Sequence, residues 1–270
     1  MRTERGVRAQ LVCALLAACL LVRLAAAEEA AGGEAGPGQL GADWQSWHAD
    51  NTLSDKPSLQ RGARNFVSYC LGCHSIKYER WSRLGVDLGI PEQLLIKDLL
   101  PPGDKPTEYM LTSMPATDAE AWFGRPAPDL SLTARSHGPD YIYQYLKTFY
   151  VDPTRQTGAN NLRDPGSPMP HVLSALEGLK RAVFRDVVSK GEAGVVSHEQ
   201  VFDHFEVIAP GTLSATEYDG FVRDTVNFLD YVSEPTQEAR RALGVWVVLF
   251  LVVFAWLAWL VKREYWKDVH

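Results

Sequence analysis

Two thiols and an imidazole stand together in Cys70-Leu71-Gly72-Cys73-His74. Cys-X-X-Cys-His is the spacing of a covalent haem attachment site. Each thiol can add to a haem vinyl group to give a thioether, and two intervening residues match the separation of the two vinyls. The adjacent His74 then falls beneath the iron as a neutral imidazole ligand. The same cysteine pair has two other uses. Half of a zinc site would need partners such as His198 and His204. A redox dithiol of the thioredoxin kind would need a nearby βαβ pattern, which the sequence lacks. The histidine directly after the second cysteine favours haem c.

A haem that only carries electrons has its sixth iron position filled, and a thioether opposite an imidazole raises the reduction potential. Beyond Met1 the methionines are Met110, Met114 and Met169. A methionine is more often a gap-filler than a ligand. Met169 stands between Pro168 and Pro170, and two prolines stiffen a loop in a way that a ligand needs and a gap-filler does not. Met114, which precedes Pro115, is the alternative.

Helices must position these groups. Leu59, Ala63, Phe66, Cys70 and Cys73 fall at helical spacing, which predicts one helix from about residue 59 to 74 with both sulfurs on its apolar face. Pro91 opens a short amphipathic helix that Pro101-Pro102-Gly103 ends. Residues 104–138 read as irregular chain that wraps the haem. Pro139 opens a helix with Tyr141, Ile142, Tyr145, Leu146 and Phe149 on one face, and residues 151–170 return to loop. Residues 182–210 fit short β segments or a broken helix equally well. Ser214-Ala215-Thr216-Glu217 is a capping box, and the apolar face it introduces is the natural partner of the haem helix. His48 reads as a surface or capping residue.

The ends of the chain give its address. Residues 1–27 carry Arg2, Arg5 and Arg8, a short apolar core and Ala25-Ala26-Ala27, the plan of a cleaved export signal. A lipoprotein box ending at Cys19 and an uncleaved anchor are weaker alternatives. Without this leader only Cys70 and Cys73 remain of the four cysteines, and four arginines and one glutamate are lost. The remainder holds 23 basic and 32 acidic residues, a net charge of −9, which speaks against nucleic acid and suits a basic protein partner. From Ala242 to Val261 the chain runs 20 residues without a charge, about 30 Å as a helix, the thickness of a bilayer's hydrocarbon. Trp256, Trp259 and Trp266 sit toward its far end, followed by Lys262, Arg263 and Lys267, as expected of a cytoplasmic C-terminus. The domains expected are a leader over 1–27, an exported haem domain over 28–236 and a membrane anchor with a short tail over 237–270.

Several short motifs occur in one order: Cys70 to His74 with Ser75, Lys77 and Tyr78; Pro128-Asp129-Leu130-Ser131; Ala134-Arg135 before Asp140-Tyr141; Asn160-Asn161 before Pro168-Met169-Pro170; Ser233-Glu234-Pro235; and the C-terminal span. Together they resemble the cytochrome c1 family, the haem c subunit of cytochrome bc1 complexes, over nearly the whole chain from Trp44. Phe123-Gly124-Arg125-Pro126-Ala127 departs from the pattern by placing an arginine where prolines are expected. The resemblance implies a mainly α, cytochrome c-like monohaem domain with long loops and one C-terminal transmembrane helix. It implies His74 and Met169 as axial ligands, Arg135 and Tyr141 at a haem propionate, and Pro128 in a proline-lined haem environment. It further implies electron transfer from a Rieske iron–sulfur protein to cytochrome c, beside cytochrome b in a dimeric quinol–cytochrome c reductase. The catalytic site for quinol would lie on cytochrome b and not on this chain. The expected location is a bacterial inner membrane with the haem domain in the periplasm. A free membrane-tethered shuttle and a peroxidase with an open sixth position are the competing functions.

Overall fold

The structure is a computed structural model that describes residues 40–190 and 196–267. The leader over 1–27 and residues 28–39 lie outside the described residues. In chain order the helices are α1 (Lys56–Tyr69), α2 (Trp81–Leu88), α3 (Glu92–Leu94, continued by a wide turn over Leu95–Leu99), α4 (Ala116–Phe123), α5 (Thr133–His137), α6 (Pro139–Lys147), α7 (Ser174–Glu177), α8 (Ala215–Ser233) and α9 (Gln237–Tyr265). The strands form three antiparallel pairs: β1 (Ile76–Arg80) with β2 (Tyr109–Met110), β3 (Phe149–Val151) with β4 (Ala159–Asn161), and β5 (Gly178–Lys190) with β6 (Val196–Pro210).

The core is built on the crossing of α1 and α8. Asp55 caps α1 by accepting from the Ser58 N–H at 3.1 Å, and Pro57 sits in the first turn where its missing N–H costs nothing. The capping box opens α8: the Glu217 N–H donates to Ser214 Oγ, and Glu217 Oε2 accepts from the Ser214 N–H at 2.9 Å. The two helices touch at Gly62, where an added Cβ would come 2.0 Å from Asp224 O and 2.7 Å from Phe228 Cβ. Around that contact Phe66 meets Phe228 at 5.7 Å and Tyr69 meets Phe221 edge-on at 5.4 Å. Asn65 Nδ2 donates to Phe221 O and Thr225 Oγ1, and Arg61 forms a forked pair with Asp224. Helix α6 joins the other flank of α8, with Tyr218 Oη donating to Leu146 O and Tyr143 and Lys147 both on Asp219. The segment before α1 is tied to α6: His48 Nδ1 lies 2.7 Å from Asp140 Oδ2, and Gln144 Nε2 donates to Gln45 O and Trp47 O.

Several elements differ from what periodicity predicts. Helix α1 ends at Tyr69, where the Cys70 and Leu71 N–H groups both donate to Phe66 O. The cysteines therefore lie beyond the helix, in the turns that follow. The stretch 104–138 is not wholly irregular, since it holds β2, α4 and α5. Residues 149–161, read as the end of a helix and a loop, contain the β3–β4 hairpin. The ambiguous region is one long hairpin, β5–β6, whose register shifts between Leu179 and Lys180 and again between Val183 and Phe184. Pro235 precedes α9, whose N-cap is Thr236. Helix α9 has 29 residues, none of them buried, and is long and apolar enough to cross a membrane.

Two substitutions test this core. Gly62→Ala inserts a methyl group against backbone and should destabilise the folded protein by about 1–3 kcal/mol, read from denaturant midpoints. Glu79 on β1 is only 4% exposed and its Oε1 has no partner. Burial, reinforced by Asp87, pushes its carboxyl up to about 7. The fold therefore retains a proton that the unfolded chain releases near pH 4.3, and stability falls as pH rises from there through about 7. Glu79→Gln should raise the unfolding midpoint at pH 8, by about 1–3 kcal/mol, and change it little at pH 5.

Candidate haem-binding cavity

Immediately after α1 the chain folds into a tight turn, with the Cys73 and His74 N–H groups both donating to Cys70 O, at 3.0 and 2.8 Å. Thr112 clamps this turn from outside: its Oγ1 donates to Gly72 O at 2.8 Å and its N–H donates to Ser75 Oγ at 2.9 Å. Cys70, Cys73 and His74 all line one cavity of about 420 Å³. Burial pushes the Cys70 thiol up to about 12 and raises that of Cys73. Both are held as neutral thiols, unlike the low-pKa thiolates of redox dithiols.

His74 is 9% exposed. Its Nδ1 lies 2.8 Å from Pro128 O, so Nδ1–H donates to that carbonyl and Nε2 keeps its lone pair. Burial lowers the imidazole pKa, against the opposing effect of the Pro128 hydrogen bond. A neutral ring with one nitrogen committed to a carbonyl is the state in which histidine ligates a metal. The Pro128 carbonyl is itself held in place. Leu130 N–H donates to Ser75 O, Lys77 N–H to Asp129 Oδ2 and Tyr78 N–H to Ser131 Oγ, while Ser131 N–H closes a turn on Asp129 Oδ1. Pro128-Asp129-Leu130-Ser131 thus stitches its own loop to the strand that follows His74.

Met169 lines the same cavity, with Pro168 and Pro170 beside it. Its loop is scaffolded by the β4 asparagines. Asn160 Oδ1 accepts from the Gly166 N–H at 2.8 Å, and Asn161 Oδ1 accepts from the N–H groups of Arg163 and Asp164 at 2.8 and 3.1 Å. Asn161 Nδ2 donates to Tyr145 O, and Tyr145 Oη lies 2.7 Å from Ser167 Oγ and donates to Met169 Sδ at 3.4 Å. Met114 also lines the cavity, whereas Met110 is fully buried in the core.

Tyr141 reaches the cavity from α6, stacked on His137 at 4.6 Å and lying 4.6 Å beneath the Arg163 guanidinium. Arg135 does not line the cavity. On the short helix α5 it is Ala134 that turns into the core, so the next side chain, about 100° around the helix, faces solvent. There Arg135 helps to lower the Glu234 carboxyl pKa, behind the larger effect of Arg240. The arginine that lines the cavity is Arg125, the one noted above as a departure. His137, Tyr145 and Arg125 therefore join the site beyond the residues picked from sequence. Tyr145 was signalled by its helical spacing from Tyr141; the other two carried no signal of their own.

The lining otherwise includes Leu130, Ile142, Leu146, Val172 and Leu229. An apolar slot that brings together two neutral thiols, a neutral imidazole and a thioether fits a haem c. It does not resemble a zinc site. Among the described residues no group of three or more His, Cys, Asp or Glu side chains could hold a metal ion. His204 is engaged with Asp203 on β6, and the His198 side chain lies outside the described residues.

The Cytochrome C1 family profile matches residues 103–269. Cytochrome c1 of Allochromatium vinosum is 45% identical over 222 residues, covering 82% of this chain and 88% of the relative. The ammonia monooxygenase gamma subunit of Nitrosomonas europaea is 42% identical over 217 residues, 80% of this chain and 86% of that protein. A more distant relative, the mitochondrial cytochrome b-c1 complex catalytic subunit of Candida albicans, is 24% identical and spans 80% of this chain and 73% of its own. With a profile match over more than half its length, and near-full-length likeness to a cytochrome c1, the chain belongs to the cytochrome c1 family.

Proposed function

We propose that this chain is the electron-transfer subunit of a cytochrome bc1 complex, with a single haem c joined by thioethers to Cys70 and Cys73 and ligated by His74 and Met169. The observation that carries the reading is the presence of these four side chains on one apolar cavity. Membership of the cytochrome c1 family supports the haem and the place in the complex. When bound, the haem supplies reversible one-electron chemistry on its iron. The protein's part is to hold and tune that group. Pro128 O keeps His74 in the tautomer that leaves Nε2 for the iron. Tyr145 orients the Met169 sulfur, and a thioether opposite an imidazole favours the reduced iron and a high potential. The apolar lining excludes water, which limits reorganisation when charge moves. Tyr141, with His137, stands where a propionate can be met.

In this reading electrons come from a Rieske iron–sulfur protein and leave to cytochrome c, while quinol oxidation takes place on cytochrome b. The complex is catalytic as a whole. The chain passes once through a bacterial inner membrane by α9, in a dimeric complex. Residues 1–27 are removed on export, residues 28–236 form the periplasmic domain, and Lys262, Arg263 and Lys267 face the cytoplasm.

The visible spectrum of the purified protein reports attachment and ligation together. Cys70→Ser with Cys73→Ser should abolish haem staining on a denaturing gel; staining at the normal level would refute thioether attachment. Met169→Leu keeps side-chain volume and should remove the near-infrared sulfur–iron absorption of the ferric protein, lower its potential and open the ferrous iron to carbon monoxide. An unchanged band and potential would exclude Met169 and leave Met114 as the thioether to test. A chain ending at Thr236 should retain haem in solution, because α8 is capped and packed independently of α9; failure to take up haem would assign the anchor a structural role.

A further inference from the structure

The loop bearing Met169 runs into a cluster of buried ionisable groups that the cavity itself does not use. Two residues beyond Met169, His171 Nε2 lies 2.9 Å from Glu177 Oε2, a close approach of two buried atoms without hydrogen-bond alignment. Glu177 closes α7 and also pairs with Lys180 at the base of β5. The Lys180 ammonium in turn donates to Lys147 O, at the end of α6, at 2.6 Å and lies 4.5 Å from the centre of the Phe205 ring. The side chains of His171, Glu177 and Lys180 are only 9, 13 and 10% exposed.

Such a cluster is a poor way to gain stability. Removing charges from water costs several kcal/mol per ion, and well-packed apolar residues do at least as well in the same volume. What the cluster adds is position, since its close contacts hold the loop against the hairpin base. The contacts here converge on the sulfur. The His171 ring stacks on Phe149 at 5.0 Å with the planes 4° apart, Phe149 meets Tyr145 edge-on at 5.1 Å, and Tyr145 Oη donates to Met169 Sδ. A closed circuit therefore runs from Met169 along the chain to His171, through two aromatic rings, and back to the sulfur. Its anchor is stiff. Gly178, the first residue of β5, has φ +97°, and a Cβ there would come 2.3 Å from Ala209 O on β6, so the hairpin base is packed backbone to backbone.

We propose that His171, Glu177 and Lys180 are positioning residues for the Met169 thioether, fixing the far end of its loop to the base of the β5–β6 hairpin so that the sulfur stays on the iron. This rests on Met169 being the sixth ligand. The cluster lowers the population of a state in which the loop has swung away and the iron is five-coordinate. Neither partner of the electron transfer is needed for the effect, which belongs to the resting protein.

The test uses the complete haem-loaded chain in its complex, with three variants. His171→Phe keeps the stack on Phe149 and leaves the Glu177–Lys180 pair intact, but breaks the contact between loop and hairpin. Glu177→Gln keeps the shape and removes the charge that joins His171 to Lys180. Met169→Leu is the control for ligation. Carbon monoxide binds the ferrous iron only when the sulfur is off, so its rate follows the open fraction. Both cluster variants should bind it at least about tenfold faster than the unaltered protein. Their ferric sulfur–iron band should also melt at a lower temperature than the helical circular dichroism of the same sample, with the haem still attached. An unaltered carbon monoxide rate in both variants, or a band that melts together with the helices, would overturn the proposal and leave the cluster a purely structural role. Persistence of the band in Met169→Leu would instead remove the ligand reading, and the proposal with it. If Glu177→Gln does not fold, His171→Phe alone decides.

Discussion

A hydrogen bond from His74 Nδ1 to the carbonyl of Pro128, 54 residues away in sequence, settles which nitrogen of the imidazole is free to bind a metal. Everything nearby serves that bond. Asp129 and Ser131 hold the Pro128 loop on β1, Thr112 holds the turn from Cys70 to His74, and α1 delivers that turn from the crossing at Gly62. A flat prosthetic group has two faces, and no single local segment can cover both. In the proposed ligation the two faces are met by long-range ties, a loop at 128–131 for His74 and the β3–β4 hairpin with its asparagines for Met169. Helices α1, α6 and α8 supply the apolar wall between.

The motifs were legible in the sequence because they are written in short, rigid words. Cysteine spacing, the proline pair around Met169, the Ser214–Glu217 box and the uncharged C-terminal run each follow from local covalent or steric rules. What was not legible depends on partners distant in sequence. The helix through Leu59 and Phe66 looks as if it continues through both cysteines, since their spacing fits, yet its end is decided by backbone bonds to Phe66 O and by the clamp from Thr112. The long hairpin escaped because Val187, Val201 and Val207 suit either a strand or a broken helix until the two arms find each other. Arg135 illustrates the same limit at the level of one side chain. On a helix of five residues a single buried alanine chooses the face, and it turned the neighbouring guanidinium outward.

Polar groups in the interior divide into two kinds. Some are fully matched, such as Asn65, Asn161 and Tyr218, and act as rivets between helices or within loops. Others are ionisable, as are Glu79 near α2 and the His171–Glu177–Lys180 group at the hairpin base. Buried ionisable groups without full compensation cost stability, and in sequence these follow shortly after the motif histidine in one case and the motif methionine in the other. The protein spends part of its stability in the neighbourhood of its cofactor and recovers it in the α1–α8 core.

Only Glu234, Pro235 and Thr236 separate the end of α8 from the start of α9, and Arg240 reaches back across them to grip Glu234 with a forked pair. Fully extended, three residues span about 10 Å. A carrier on so short a leash has almost no radius of travel above the bilayer. In the proposed role it is a fixed relay post, and whatever brings electrons and whatever takes them away must do the moving.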